Sequence, residues 1–421
     1  MTGSPVTETG HQLEAILAEQ NLITDPVLSP KRPRVDTAGM ADVFPYYAGF
    51  SFEWAQRLIE DEANGRPLVV LDPWNGSGTT TLAAQANGLM SIGVDLNPIA
   101  SVVAQLRVQV GRCAQICSPP PTTSISPSSD PLSAWLNEET AARARQWVDS
   151  LAGMSRESSA LALVAMFRVI RRITKSFEGS NPTWVKTASN SDSLIWVSDS
   201  ELDRSMIEEQ KHISSRLRSE DYGKSRALLL TASSSALPIA DSSVDVILTS
   251  PPYMTRIDYA VAYARELAIM GHDISKDRTL RQALMGTTLI RQGATAEPTY
   301  GQLASDLVDA VSRHPSKASS GYYLKQARQY LGDLATSLEE LTRVAKPTAT
   351  MYLVVQDSYY KDVPINLADI CIDEAVIRGW TATEVRPFEV NRILTKLNTS
   401  AQAYPKGAVV ETVIAFRKER E

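Results

Sequence analysis

The pattern of apolar and polar positions predicts seven strands separated by helices. Five of the strands are short apolar runs, and the last two alternate between apolar and polar positions. The seven runs are residues 68–71, 91–95, 227–230, 244–248, 349–355, 381–385 and 409–416. Helical spacing is found between them at residues 51–60, 79–86, 322–343 and 369–379. Strands that alternate with helices predict an α/β fold, in which the last two strands approach a hairpin.

Two long stretches interrupt this alternation. Residues 112–225 include a loop rich in Ser, Pro and Thr and then apolar positions at helical spacing, which predicts a helical insertion. Residues 254–320 carry many arginines without a strong period. Because they follow directly on the loop after the run 244–248, we interpret them as a second insertion, which is either a lid or a plain structural insertion. Residues 1–42 are expected to be a mobile arm. The expected core domain consists of the two remaining parts, 43–111 and 226–421.

Composition narrows the class of protein. The chain has 421 residues and a formal net charge of -6. That charge argues against a protein that coats nucleic acid indiscriminately, but it allows an enzyme with one basic cleft. We expect a cytoplasmic protein, because no apolar run is long enough to cross a bilayer and the N-terminus has no signal pattern. The three cysteines lack metal-ligand spacing, so no metal is expected.

A glycine-rich loop follows the first strand. Gly76 and Gly78 allow the backbone to approach a ligand closely, and Thr79 and Thr80 open the helix that follows. The next strand ends in Asp95, at about the distance along the chain at which a βαβ unit places a carboxylate over a ribose. The stretch therefore predicts a nucleoside-binding βαβ unit.

Three ligands compete for this βαβ unit. A nicotinamide cofactor would prefer Gly-x-Gly-x-x-Gly, but Thr81 stands at the third position and Asp72 would repel a pyrophosphate. A nucleoside triphosphate needs the lysine of a P-loop, and none follows Gly78. S-adenosylmethionine fits better, because its ammonium group would attract Asp72 and its ribose hydroxyls would donate to Asp95.

The strand at 244–248 runs into a loop with two consecutive prolines. The loop residues are Ser250, Pro251, Pro252 and Tyr253. Each proline fixes its own φ and restricts the residue before it, so the loop has few conformations to lose. It would hold a hydroxyl and carbonyl groups in set directions beside an aromatic ring. Such an arrangement suits gripping the amino edge of a planar base.

Both motifs resemble those of the S-adenosylmethionine-dependent DNA amino-methyltransferases. The segments Asp-Pro-x-x-Gly-Ser-Gly-Thr-Thr at 72–80 and Gly-Val-Asp-Leu-Asn-Pro-Ile-Ala at 93–100 are similar to the cofactor motifs of that family, and 250–253 to its Ser-Pro-Pro-Tyr motif. The resemblance covers roughly 43–104 and 227–417. It implies a Rossmann-like seven-stranded methyltransferase sheet, with the last strand antiparallel and largely helical insertions. The core domain would then be the catalytic domain.

The resemblance also implies which residues hold the cofactor. The segment Phe-Pro-Tyr-Tyr-x-x-Phe at 44–50 is similar to the part of the family that packs against the methionine end of S-adenosylmethionine. In the family an acid often follows the third strand to hold the adenine, whereas Ser233 stands in that region here. The implied cofactor residues are Phe44, Pro45, Phe50, Asp72, Trp74, Gly76, Gly78, Thr79, Thr80, Asp95, Leu96 and Ser233.

The implied reaction methylates the exocyclic amine of a base flipped out of double-stranded DNA. The residues expected to be catalytic are Ser250, Pro251, Pro252 and Tyr253. The Ser250 side chain and the Pro251 carbonyl would accept hydrogen bonds from the amine, and Tyr253 would stack on the base. Ser rather than Asp before Pro-Pro-Tyr favours the N4 of cytosine over the N6 of adenine.

Two other functions remain open from the sequence. An RNA amino-methyltransferase would share the same loop chemistry, and a catalytically silent binding protein would use the fold as a scaffold. A companion restriction nuclease or defence protein is also left open.

Contacts with DNA are predicted from clustered basic residues. The segment 167–175 carries four positive charges on a helical pattern, which the solvated face of a helix would explain equally well. These residues are Arg168, Arg171, Arg172 and Lys175. Arg256 or Tyr259 would flank the target base. Because the cofactor loop precedes the catalytic loop, we expect 112–225 to read the DNA sequence, helped by 254–320.

Overall fold

A computed structural model describes most of the chain. The described residues are 30, 40, 43–46, 49–109, 114–123, 130–179, 184–219, 222, 226–254, 257–291, 299–317, 319–389 and 410–419. The predicted mobile arm lies outside the described residues, apart from Pro30 and Met40. Both of these residues are buried, and the Pro30 carbonyl accepts a hydrogen bond from the Ser51 N–H at 2.8 Å.

Seven strands of the described residues form one mixed sheet, and two more form a small hairpin. In chain order the strands are β1 Val69–Asp72, β2 Met90–Val94, β3 Ala227–Leu230, β4 Val244–Thr249, β5 Ala345–Gln356, β6 Ser358–Tyr360, β7 Val363–Ile365, β8 Trp380–Glu389 and β9 Val410–Lys418. The order across the sheet is β3-β2-β1-β4-β5-β9-β8, and β6 pairs with β7. Each of the seven predicted runs falls in a strand of the large sheet.

The pairing directions define the fold class. β3, β2, β1, β4 and β5 are parallel neighbours, whereas β9 pairs antiparallel with both β5 and β8. The predicted Rossmann-like methyltransferase sheet with an antiparallel last strand is therefore confirmed. Asp72 at the end of β1 stands opposite Gly93, and Thr249 at the end of β4 stands opposite Leu353. The loops that follow these strands emerge at the same edge of the sheet.

Helices lie on both faces of the sheet. They are α1 Phe52–Ala63, α2 Thr79–Ala86, α3 Pro98–Arg107, α4 Glu138–Asp149, α5 Arg156–Ile173, α6 Asp199–Leu217, α7 Tyr259–Ala262, α8 Ala264–Ile269, α9 Thr279–Ala283, α10 Gln302–Arg313, α11 Leu324–Val344 and α12 Leu367–Val376. The predicted start of α1 is confirmed, since the Ser51 side chain accepts a hydrogen bond from the Trp54 N–H.

The helix α10 differs from the sequence prediction, which found no strong period between 254 and 320. Its buried residues Ala304, Leu307, Val308 and Val311 have the spacing of one helical face. The helix is one short segment inside a longer stretch without a period, which hid the signal.

Two apolar layers sandwich the central strands. Val70 of β1 and Val246 of β4 pack in the layer that contains α1, α3 and the insertion helices α4 to α6. Their neighbours Leu71 and Ile247 point to the other face, where α11 and α12 pack. Burial on both faces explains why these strands appear in the sequence as continuous apolar runs.

Two features are absent from the described part of the chain, a membrane-spanning helix and a metal-binding cluster. This part contains no helix with the length and apolar character needed to cross a membrane. Nor does it contain a group of His, Cys, Asp and Glu side chains arranged to hold a metal ion.

Candidate cofactor and catalytic site

A cavity of about 320 Å³ lies at the carboxyl edge of the parallel strands. Open α/β sheets bind their ligands at this edge. Its walls come from the loops after β1, β2, β3 and β4, from residues at the end of α9 and from α11. The predicted site residues that line it are Trp74, Gly76, Asp95, Leu96, Ser233, Ser250, Pro252 and Tyr259.

The loop after β1 depends on two glycines at positive φ. Gly76 has a φ of +48°, and an added Cβ would lie 2.9 Å from the Tyr46 ring. Gly78 has a φ of +82°, and an added Cβ would lie 2.8 Å from the Cβ of Ala104 on α3. Both contacts are shorter than real carbon contacts, so any side chain would displace a neighbour. Gly76 forms part of the cavity wall, whereas Gly78 lies behind it and lets α3 pack closely.

Asp95 follows β2 and presents its carboxylate to the cavity wall. One oxygen accepts a hydrogen bond from the Gly76 N–H at 2.9 Å, and the other accepts one from the Asn97 N–H at 2.8 Å. Burial raises the pKa of Asp95 to about 6, although both hydrogen bonds oppose the shift. Each oxygen can still accept from a ligand, since a carboxylate oxygen has two lone pairs.

Asp72 takes a structural position at the ends of β1 and β4, and its contact with the cofactor stays a prediction. It is 3% exposed and is not among the residues that line the cavity. One oxygen accepts from the Thr249 hydroxyl at 2.6 Å and the Trp74 N–H at 3.1 Å, and the other accepts from the Thr80 hydroxyl at 2.7 Å. Burial raises the pKa of Asp72 to about 6. The carboxylate thus joins the ends of β1 and β4 to the first turn of α2, which also places Thr80 behind the wall.

The aromatic segment before α1 contains three residues that were predicted to contact the cofactor. Phe44 is 1% exposed and packs against Phe167, with 5.8 Å between ring centroids. Phe50 packs edge-on against Trp54 at 5.4 Å, and Pro45 is exposed. None of the three lines the cavity. Phe44 and Phe50 are therefore core residues, and the contact of all three residues with the cofactor stays a prediction.

Tyr46 is the residue of this segment that reaches the cavity. Its ring stacks on Tyr263 at 4.8 Å and faces Tyr259 at 6.5 Å. Burial, and then the charge of Asp95, raise the pKa of Tyr46 well above its usual range, so its hydroxyl stays protonated. The sequence showed an aromatic cluster here, but it did not show which ring turns toward the ligand.

Three consecutive serines after β3 occupy the region where the resemblance suggested an acid. Ser233, Ser234 and Ser235 all line the cavity. The hydroxyls of Ser233 and Ser235 lie 2.7 Å apart, and that of Ser234 lies 2.9 Å from the hydroxyl of Ser337 on α11. This wall offers hydroxyl groups, which both donate and accept, in place of a carboxylate.

The Ser-Pro-Pro-Tyr loop follows β4 and borders the cavity through Ser250 and Pro252. The Ser250 hydroxyl is buried and has no hydrogen-bond partner among the described residues, which is costly for a polar group unless a ligand binds it. Pro251 is buried behind the wall. Tyr253 is 7% exposed and packs in the apolar layer that contains α11, not on the cavity wall. Its predicted stacking on a base stays a prediction.

The segment 257–291 closes over the catalytic loop. The buried carboxylate of Asp258 accepts from Arg281 at 2.9 Å, which ties α7 to α9. Tyr259, at the start of α7, lines the cavity next to the catalytic loop, and its place beside the target base stays a prediction. Arg256, the other residue predicted to flank the base, lies outside the described residues.

The basic cluster predicted to contact phosphates lies at the end of α5 and just after it. Arg168 and Arg172 pair with Glu209 on α6 at 2.5 and 3.0 Å. Arg171 pairs with Glu266 on α8, a carboxylate that is fully buried. These ion pairs give three of the four basic residues a role in packing. Contact of this basic cluster with DNA remains a prediction for all four of its residues, which are Arg168, Arg171, Arg172 and Lys175.

The same helix grips the segment that carries Tyr46. Arg168 donates to the carbonyl of Val43 at 2.5 Å. The guanidinium of Arg171 lies 4.6 Å from the centroid of the Phe44 ring, within the range of a cation–π contact. The helical insertion therefore supports one wall of the cavity.

Sequence reasoning also missed an ion pair that the fold brings to the cavity. Arg291 donates to both oxygens of Asp333 at 2.5 and 2.6 Å, and both residues line the cavity. Burial raises the pKa of Asp333, while its bonds to Arg291 oppose that shift. Asp333 sits on the polar side of a predicted helix, but only the tertiary structure shows that this side faces a ligand site.

Two curated relatives resemble this chain. The type II methyltransferase M.BsoBI of Geobacillus stearothermophilus is 28% identical over 284 residues, which are 58% of this chain and 55% of the relative. The match thus spans about half the length of that relative. The type II methyltransferase M.AvaI of Nostoc sp. is 23% identical over 409 residues, which are 85% of this chain and 82% of the relative. No protein-family model matches the chain.

Solved structures that resemble this chain include the rRNA methyltransferase aviRa from Streptomyces viridochromogenes, which is 13% identical with a TM-score of 0.31. The match covers 91% of this chain and 94% of the aviRa chain. A geranyl diphosphate methyltransferase has 8% identity, a TM-score of 0.34 and coverage of 99% and 94%. At such low TM-scores these neighbours add nothing to the strand order, on which the fold class rests.

The donors and acceptors of the cavity fit S-adenosylmethionine. Asp95 can accept from ribose hydroxyls, and the buried Nε1 of Trp74 and Nδ2 of Asn97 are donors without partners. A pyrophosphate fits poorly, because the charge of Arg291 is already balanced by Asp333. The wall therefore suits a cationic nucleoside better than a polyanionic one.

Proposed function

We propose that this protein is an S-adenosylmethionine-dependent DNA methyltransferase that modifies an exocyclic amine, the N4 of cytosine. The observation that carries the proposal is the unpartnered, buried hydroxyl of Ser250 on the same cavity wall as the Asp95 carboxylate. The resemblance of both motifs to DNA amino-methyltransferases supports DNA as the substrate. The two relatives named type II methyltransferases support methyl transfer.

The cofactor is S-adenosylmethionine, which supplies an electrophilic methyl group on a sulfonium. Asp95 accepts hydrogen bonds from its ribose hydroxyls. The hydroxyls of 233–235 and the apolar side chain of Leu96, which line the cavity, would hold its purine ring. Gly76 and Tyr46 border the site from the side of β1. Asp72 contributes indirectly, because its three hydrogen bonds hold the glycine loop against β4.

The catalytic loop acts on the amine by orienting it. The lone pair of an exocyclic amine is conjugated into the base, so the amine is a poor nucleophile. Hydrogen bonds accepted by the Ser250 hydroxyl and the Pro251 carbonyl draw the amine toward tetrahedral geometry and aim its lone pair at the methyl group. The amine forms the new N–C bond, the C–S bond breaks with its electron pair on sulfur, and the surplus amine proton leaves to solvent.

The base must leave the duplex to reach this cavity. Tyr259 lines the cavity and offers an aromatic face beside the catalytic loop. Tyr253 is packed against the side of the sheet that carries α11, so stacking of Tyr253 on the base requires this side chain to move. Serine at position 250, where adenine-specific relatives of the motif carry aspartate, favours cytosine as the target.

The proposal is tested by transfer of tritiated methyl groups to plasmid DNA from a strain without DNA methylation, followed by nucleoside analysis. We expect labelled N4-methylcytosine. Labelled N6-methyladenine would replace the base assignment and keep the rest of the proposal. Label in RNA alone would overturn the DNA substrate. No label in any nucleic acid, despite calorimetric binding of S-adenosylhomocysteine, would favour a catalytically silent binding protein.

The affinity for S-adenosylhomocysteine is expected to fall in acid. The pKa of Asp95 is raised to about 6 in the free protein, and its charged form is the better acceptor for two ribose hydroxyls. Above about pH 7 the dissociation constant should be constant. Below pH 6 it should rise about tenfold per pH unit, because the fraction of the protein in which Asp95 is charged falls. Asp72 titrates in the same range, and Tyr46 stays neutral.

Isothermal calorimetry between pH 5 and 8 measures this profile. The variant Asp95→Asn should bind weakly with a flat profile, while Asp72→Asn should keep the pH dependence. A wild-type profile without a slope below pH 6 would show that Asp95 does not accept from the ligand.

A further inference from the structure

The ψ torsion of Pro252 is a backbone torsion in the middle of the catalytic loop that the two prolines leave free. The rings fix φ at Pro251 and Pro252, and a following proline restricts ψ at Ser250 and Pro251. The ψ torsion of Pro252 has no such restriction, because Tyr253 follows it. Rotation about this bond swings the Pro252 carbonyl and changes the path of the chain on either side.

A hydroxyl from α11 holds this carbonyl. The Tyr330 hydroxyl donates to the Pro252 carbonyl at 2.7 Å, and Tyr330 is 2% exposed. Burial raises the pKa of Tyr330 well above its usual range, so the donor proton is retained. The next carbonyl, that of Tyr253, is packed by Gly286, where an added Cβ would lie 3.3 Å away. Both peptides that follow the prolines are therefore held from outside the loop.

The helix that carries Tyr330 also reaches the serine wall. Its residues Tyr330, Asp333 and Ser337 are three and four residues apart, which places them along one face. Tyr330 contacts the catalytic loop, and Ser337 contacts Ser234. One rigid element thus sets the distance between the loop that would orient the amine and the wall that would hold the cofactor. Methyl transfer needs this distance to be held closely, since small misplacements lower the rate steeply.

We propose that Tyr330 is a positioning residue for methyl transfer, which acts through the Pro252 carbonyl on the direction of the Ser250 hydroxyl. The proposal rests on the proposed function. Tyr330 does not line the cavity, so its effect is expected on the rate and not on ligand affinity. The Pro252 carbonyl accepts from Tyr330, whereas the proposed acceptors for the amine are the Ser250 hydroxyl and the Pro251 carbonyl.

The test compares Tyr330→Phe with Tyr322→Phe. Tyr322 makes the same type of bond, from its hydroxyl to the carbonyl of Thr288 at 2.6 Å, but outside the catalytic loop. We expect Tyr330→Phe to lower kcat about 10- to 100-fold, with KM for DNA and Kd for S-adenosylhomocysteine within about twofold of wild type. Tyr322→Phe should keep kcat within about twofold. Unchanged kcat in Tyr330→Phe, or a parallel loss of ligand affinity, would overturn the proposal.

Hydrogen exchange gives a second readout that does not need activity. Peptides that contain Tyr253 and Met254 should exchange faster in Tyr330→Phe than in wild type, while peptides from the middle of α11 should not change. Equal exchange in the loop would also overturn the proposal. Should wild-type protein transfer no methyl group, the proposed function fails, and the exchange data still decide whether Tyr330 holds the loop.

Discussion

Replacing Ser250 with alanine is expected to lower the rate of methyl transfer by at least about 100-fold while S-adenosylhomocysteine still binds. The Ser250 hydroxyl is the buried acceptor without a partner at the catalytic loop. Without this hydroxyl, one N–H of the target amine faces the side chain of the alanine and has no acceptor. The lone pair of the amine then stays conjugated with the ring. Single-turnover transfer of tritium to DNA measures the rate, and calorimetry measures the affinity.

The matched variant Ser250→Asp separates loss of the acceptor from damage to the loop. A carboxylate also accepts from an amine, so this variant should recover part of the rate that alanine loses. If Ser250→Ala keeps more than a third of the wild-type rate, the hydroxyl does not orient the amine. Joint loss of rate and ligand binding in both variants would indicate that the loop has lost its shape.

Replacing Gly76 with valine is expected to weaken binding of S-adenosylhomocysteine by at least about 100-fold, because a small displacement at a preformed site costs several interactions at once. The new Cβ would lie 2.9 Å from the Tyr46 ring, which also lines the cavity. A valine at a φ of +48° is also strained. The loop must then move, and the Gly76 N–H would leave the carboxylate of Asp95.

The control for this variant is Gly88→Val. Gly88 has a φ of +69°, but an added Cβ meets no atom within 4 Å. Both variants carry backbone strain of about 1 to 3 kcal/mol, whereas only Gly76→Val places a methyl group against the cavity wall. Calorimetry should find near-normal affinity in Gly88→Val at a reduced melting temperature. Equal loss of affinity in the two variants would attribute the effect to general destabilisation.

The order of strands and helices was predictable because each element carries a local signal. The run 244–248 is apolar except for Asp245, since both faces of the strand are covered, and Ser51 caps α1 through its own side chain. The glycine loop and the carboxylate of Asp95 were also local, because a tight turn beside a ligand requires glycine and a βαβ unit sets the spacing.

The orientation of individual side chains was not predictable from sequence. Phe44 and Tyr46 are two aromatic residues in one irregular segment, and packing against Phe167 decides which of them is buried. The role of Asp72 depended on two threonines, Thr80 and Thr249, of which the second is distant in sequence. The basic residues of α5 were predicted to contact phosphates because the sequence does not show their ion-pair partners. These partners are glutamates on other helices.

The contacts of α5 with the segment 43–46 limit which parts of this protein can be exchanged. An exchange of 112–225 for the recognition region of another enzyme would remove the bond from Arg168 to the Val43 carbonyl and the support of Phe44 by Arg171. The resulting chimera would lose the contacts that support Tyr46. A chimera that keeps α5 with 43–46 and replaces other parts of the insertion therefore has the better prospect of retaining its cofactor.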